Sequence, residues 1–207
     1  MRSSARAAVL VGLLCLGAGG LLRFGTGTSY GTTPPSRQIA QVVAGAVEQT
    51  GYTHLYDPAY VQLAYPGGDP PPDRGICADV VVRAFRRAGV DLQKEVHEDM
   101  ARDFAAYPKQ WHLRAPDPNI DHRRVPNLMT YFARKGKSLP ITKRAEDYVP
   151  GDIVAWDLGN GVLHIGVVTD TRAVDTRDYE IVHNIGAGAR LEDVLFSWTI
   201  IGHYRYF

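Results

Sequence analysis

The sequence predicts an α+β domain behind an export segment. Three observations carry this: an apolar, acid-free N-terminus, helical spacing of apolar residues from Gln38 onward, and strand alternation after Pro150. The first 23 residues hold Arg2 and Arg6, an apolar run from Ala7 to Leu22, then Arg23, with no acid before Glu48. This is the layout of a secretory signal, and its apolar part is shorter than the ~20 residues of a bilayer span. Gly17-Ala18-Gly19-Gly20 offers small residues but no clear A-x-A site, so an uncleaved N-terminal anchor stays open beside cleavage. Leu14 before Cys15 disfavours lipid attachment there.

Residues 24–37, rich in Gly, Thr, Ser and Pro, read as a linker, and 38–207 as one domain with a single core. Without Arg2, Arg6 and Arg23, the 23 basic residues fall to 20 against 22 acidic ones, a formal charge of about −2. That balance excludes an electrostatic case for nucleic acid or for an anionic membrane, so membrane contact is expected only through the N-terminus.

Each element follows from local pattern. Ile39, Val42, Val43 and Val47 form one helical stripe from Gln38 to about Gln49. Tyr56 to Arg74 is a loop, because Tyr65 to Asp73 alone holds four prolines and two glycines. An amphipathic helix starts at Cys77 and ends at Gly89, a C′ glycine. Val96, Met100 and Phe104 give a stripe to a helix over Glu95–Tyr107. Trp111 to Arg124 reads as an ordered loop, and Pro126 as the first residue of a helix that stops before Gly136. Gly151–Leu158 and Val162–Thr169 are strands joined by the Gly159-Asn160-Gly161 turn, followed by strands at Tyr179–Asn184 and Ile200–Tyr206.

Beyond the leader there is one cysteine, Cys77, at a helix start. A lone thiol in an exported chain has no bridging partner, and a helix N-terminus favours its nucleophilic thiolate form. Alternation puts His164 and Gly166 on one strand face and Ile181 and His183 on one face of the next. If those strands are neighbours, His183 can meet the second ring nitrogen of His164, whereas Asn184 needs a bulge or a register change. Cys77 as nucleophile, His164 as base and His183 as orienter make a cysteine hydrolase, with the Cys77 N–H facing the oxyanion. The bland alternative is a buried apolar thiol and two satisfied core histidines. A Cys77, His164 and His183 zinc hydrolase is a further alternative, but no two of these stand at close ligand spacing. The hydrolase reading calls for no cofactor.

Tyr65, Gly67-Gly68, Gly75-Ile76-Cys77, Pro150-Gly151-Asp152-Ile153-Val154 and His164-Ile165-Gly166-Val167-Val168 resemble the NlpC-type, papain-like cell-wall peptidases. Ile76 stands where that family has aspartate, Ala78-Asp79 where it has Ser-Gly, and a long segment, Val90 to Val149, separates helix from strands. The resemblance implies a papain-like α+β fold: a cysteine-bearing helix packed on an antiparallel sheet, with a helical insertion between them. It also implies cleavage of a peptidoglycan peptide in the periplasm or cell envelope, with Tyr65 supplying a hydroxyl near the oxyanion. The departures beside Cys77 keep open a catalytically silent envelope-binding module on the same scaffold. Val96-His97-Glu98-Asp99-Met100, Asn119 to Leu128 and Gly202-His203-Tyr204-Arg205 resemble an exported bacterial family without an established activity.

Other residues carry paired readings. His122, Arg123 and Arg124 either clamp a substrate carboxylate or form an ion-pair cluster, the latter being favoured. His97-Glu98-Asp99 is a polar helix face, because adjacent helical residues diverge. Asp73 caps the cysteine helix or orients the loop. Trp111, Trp156 and Trp198 are core or cleft walls.

Overall fold

The computed structural model describes residues 36–207. The proposed leader, 1–23, and all but the last two residues of the linker lie outside the described residues. No helix among the described residues is long and apolar enough to cross a membrane. Helix α1, Arg37–Val47, begins where the Ser36 hydroxyl accepts the Ile39 amide at 3.2 Å, and buries Val42, Val43 and Ala46. A 3-10 turn over Glu48–Gly51 prolongs it to the expected end. Gly45 permits close approach to the cysteine helix: a Cβ there would stand 3.0 Å from Arg87 Cβ and 3.1 Å from Ala84 Cα.

The proline-rich loop is bracketed by two short parallel strands, β1 at Leu55–Tyr56 and β2 at Arg74–Gly75. Its backbone groups need partners from outside, since prolines cannot build a ladder. Gln93 supplies some: Oε1 accepts from Gly68 N at 2.8 Å, and Nε2 donates to Ala64 O at 2.9 Å and Pro118 O at 3.1 Å. Arg83 supplies others, donating to the carbonyls of Pro70, Pro71 and Arg74 and to Asp69.

Helix α2 is Cys77–Arg87, and Gly89 at φ +85° ends it with Gly89 N–H to Arg86 O and Val90 N–H to Phe85 O, both 3.0 Å. Helix α3 runs Leu92–Arg102, earlier at both ends than the apolar stripe suggests. Asp91 caps its start, accepting from Gln93 N at 3.2 Å, and Asp103 breaks the helix before a 3-10 turn at Phe104–Ala106. Helix α4 is Val125–Arg134, with Pro126 second rather than first. Buried Asp99 ties α3 to α4 through Arg134 at 2.7 Å and to the segment after α3 through the Tyr107 hydroxyl at 2.8 Å.

Five antiparallel strands form the main sheet: β3 Ile153–Asp157, β4 Leu163–Arg172, β5 Tyr179–Asn184, β6 Ala189–Glu192 and β7 Thr199–Tyr204, in the order β6-β5-β4-β3-β7. Positive φ at Gly159, Asn160 and Gly161 closes the β3–β4 hairpin as expected. Strand β6 was not anticipated, and β7 closes the sheet beside β3. The molecule is thus α+β, with four helices and one antiparallel sheet. Ile153, Ala155, Ile165, Val167 and Val182 share a core with α1, α2, α3 and α4. Val154, Trp156, Val168 and Ile181 pack on the opposite side with Tyr148 and Leu195. Asp152 anchors the final strand, accepting from Arg205 at 2.7 Å and meeting His203 Nε2 at 2.8 Å.

Candidate active site

Strands β4 and β5 are neighbours, paired at Val167 with Val182 and Val168 with Ile181. One step along, Gly166 leaves the space that the third strand needs: a Cβ there would stand 2.7 Å from Ile181 Cγ2 and 3.2 Å from His183 Cβ. His183 therefore reaches His164, with Nδ1 of His183 2.8 Å from Nε2 of His164 and the rings edge to face. Trp156, the cross-strand partner of His164, and Trp198 wall the pair with ring centroids about 6 Å away. Both histidines are buried, His164 at 3% and His183 at 1% exposure. Burial, helped by the charge of His183, pulls His164 down to about 3. Burial also lowers His183, against the opposing pull of Glu192. Both rings are therefore neutral near pH 7. Glu192 Oε2 lies 2.8 Å from His183 Nε2 but off the N–H direction, leaving that N–H without an aligned partner.

Cys77 is the first helical residue of α2. The helix start is anchored from three directions. Asp79 accepts from Ile76 N at 2.8 Å, the one half of a capping box available when Ile76 has no side-chain acceptor. Arg123 grips the same carboxylate at 2.8 and 3.0 Å. Asn184 Nδ2 donates to Gly75 O at 3.0 Å and Leu55 O at 3.3 Å, fastening β1 and β2 to the end of β5. The thiol itself is 4% exposed and sits in the core with Ile165, Val167 and Val182. Burial pushes it up to about 12, against backbone hydrogen bonds from Ile165, Ala78 and its own amide. The helix-start argument for a thiolate is thus overturned here: desolvation outweighs the helix terminus.

Cys77 contacts the backbone of Ile165, the residue that follows His164. By strand alternation Ile165 points to the helices, while His164 points to Trp156. Among the described residues the thiol makes no hydrogen bond to either imidazole. The structure thus joins His164 to His183 and sets Cys77 one residue away along β4, on the other side of the sheet.

The remaining candidates separate clearly. Tyr65 packs edge-on to His97 at 5.2 Å and faces Glu98, which corrects its placement at the oxyanion. Tyr56 is the phenol near the thiol: burial raises it, and the charge of Cys77 raises it further. Asn184 orients the loop before Cys77 instead of His164. Arg123, 3% exposed, has each guanidinium nitrogen bonded within the fold, to Asp79, Ala59 O and Asp57 O, so it is a buried ion pair and not a substrate clamp. His122 is buried, lowered to about 3 by desolvation and then by the charge of Arg123. Arg124 lies over the exposed Trp111 ring at 4.1 Å and remains the one half-exposed cation of this trio. Asp73 pairs with Arg74, and Asp79, not Asp73, caps the cysteine helix. His97 pairs with Asp121 at 2.9 Å.

Cys77, His164 and His183 do not form a zinc ligand set. The two ring nitrogens at 2.8 Å are hydrogen-bonded, closer than the ~3.3 Å that two nitrogens spaced around one tetrahedral zinc require. Among the described residues no group of three His, Cys, Asp or Glu is placed to hold a metal.

Sequence reasoning missed Glu192 and Tyr56. The alternation Ala189-Arg190-Leu191-Glu192, taken as a strand, puts Glu192 on the face of Ile181 and His183. Nothing local marks Tyr56, which arrives through its parallel pairing with Gly75.

Residues 43–206 match the family described as Domain of unknown function (DUF1287). The chain is also 60% identical over 166 residues, 80% of each chain, to a protein of Escherichia coli (strain K12) described as "Uncharacterized protein YijF". The family match, which spans most of the sequence, shows that the chain belongs to the DUF1287 family.

Proposed function

We propose that this protein is an exported cysteine hydrolase of papain-like, NlpC-type architecture, acting on an amide of the cell envelope, a peptidoglycan peptide above all. The observation that carries the reading is the 2.8 Å His164–His183 bond beside the strand residue whose backbone the Cys77 thiol contacts. That bond uses His164 Nε2 and leaves Nδ1 as the free ring nitrogen. Helix start, base strand and orienting strand follow each other in chain order as the resemblance expects.

The chemistry runs as follows. Cys77 passes its proton to His164 Nδ1, and the sulfur forms a bond to the amide carbon while the carbonyl π pair moves to oxygen. The amides of Cys77 and Ala78, already directed at the thiol, are the nearest donors for that oxyanion. Collapse breaks the carbon–nitrogen bond, and the amine leaves with the proton held by His164. Water, deprotonated by His164, then splits the thioester, releasing a carboxylate and the thiol. Tyr56 takes the position near the oxyanion expected above of Tyr65. Cys77 is buried and neutral and lies across β4 from His164, so this chemistry requires a rearrangement of β4 that uncovers the thiol and brings it to the same side as the imidazole.

The same burial favours the second reading, a binding module that performs no cleavage. Mass spectrometry of peptidoglycan incubated with residues 24–207, beside Cys77→Ala, separates them. New fragments from the unmodified protein alone support the hydrolase, and their masses identify the bond. No fragments from folded, reduced protein would leave the binding module.

A further inference from the structure

A hydrogen-bonded pair of neutral imidazoles can hold its protons in two ways, and only one leaves His164 Nδ1 bare. The third group at this pair decides between them. Glu192 Oε2 approaches His183 Nε2 at 2.8 Å from the neighbouring strand β6. The carboxylate stands off the N–H line, but an oxygen 2.8 Å away that can only accept favours the proton on Nε2 of His183 and makes Nδ1 the acceptor. Nε2 of His164 must then donate across the 2.8 Å contact, and its Nδ1 carries the lone pair. Other groups facing the pair do not compete. Arg190, opposite His183 in register, offers no acceptor, and Trp156 Nε1 donates to Leu195 O at 2.9 Å.

We propose that Glu192 is a positioning residue that fixes the tautomers of the His183–His164 pair. The tautomer assignment stands on this geometry alone; its catalytic value, a base ready at His164 Nδ1, rests on the hydrolase reading. Glu192 is 41% exposed and lines a cavity of about 420 Å³ with Thr50, Thr53, His54 and Arg190. It therefore has room to swing into line with the N–H, and its replacement leaves the core untouched.

The test is imidazole 15N NMR of the full chain at pH 7.5, with each signal assigned by the corresponding His→Gln variant. His164 is expected to show a protonated Nε2 and a pyridine-type Nδ1. In Glu192→Ala this single pattern is expected to collapse toward averaged nitrogen shifts. Glu192→Gln, whose carboxamide oxygen still accepts, is expected to retain most of it. A His164 that carries its proton on Nδ1 in the unmodified protein would overturn the proposal. So would an unchanged pattern in Glu192→Ala. Because the readout is independent of turnover, a failed peptidoglycan digest with the expected tautomers would sink the hydrolase reading and leave this assignment intact.

Discussion

Mild acid should destabilise this fold through His122 and His164, both at most 3% exposed and both lowered to about 3. Their native values lie below the ordinary 6.5, so between the two the unfolded chain binds more protons than the native one. The stabilisation is fully present above pH ~6.5 and is lost as pH falls toward 3. From pH 7.5 to 5.0 an unfolded histidine gains about 2 kcal/mol from protonation, and two give about 4 kcal/mol. Both native rings stay neutral at pH 5, so this proton uptake falls on the unfolded chain alone. His183, lowered in the same way, adds in the same direction. Asp99, held down to about 2 by Arg134 and Tyr107 against its own burial, only begins to lose stability below pH ~4. Asp69 and Asp121, raised by burial, take up protons earlier in the native state and offset part of the histidine loss. Against a typical 5–15 kcal/mol for a domain, the loss is large. Urea unfolding at the two pH values measures it, and His122→Gln should remove about half. A drop under about 1 kcal/mol, or an unchanged drop in His122→Gln and His164→Gln together, would show that these imidazoles are not buried neutral.

Other substitutions read the same structure. Arg123→Ala should cost about 3–5 kcal/mol in urea unfolding, since it strands the buried Asp79 carboxylate beside the cysteine helix. Arg123→Lys should rescue little of that, because one ammonium cannot replace the bidentate grip and the two carbonyl contacts. Gly166→Ala should cost about 1–3 kcal/mol and disturb the histidine NMR signals, because its Cβ meets Ile181, the Val182 carbonyl and His183.

Strand alternation places His164 beside His183 once β4 and β5 are neighbours, because the Val167–Val182 and Val168–Ile181 pairs hold the register at that end, away from the irregularity between Val168 and Arg172. The same alternation already set Ile165 and Asn184 on the other face. The state of the thiol was not readable, since it depends on burial in a core built from distant parts of the chain, with the Ile165 backbone against it. The ion-pair reading of Arg123 agrees with the structure, but its partner, Asp79, lies 44 residues away on the cysteine helix, where no local pattern names it. Strand β6 escaped notice because it is four residues long behind a glycine-rich turn. Strand β7 pairs with β3 rather than with its sequence neighbour, an order no local pattern specifies.

The reaction assigned to Cys77 is tested most directly by acid-quenching the full chain during incubation with peptidoglycan and measuring the intact mass. A thioester adduct mapped to Cys77, absent from Cys77→Ala and from His164→Gln, is the predicted result. Fragments produced equally well by Cys77→Ala would contradict the assignment.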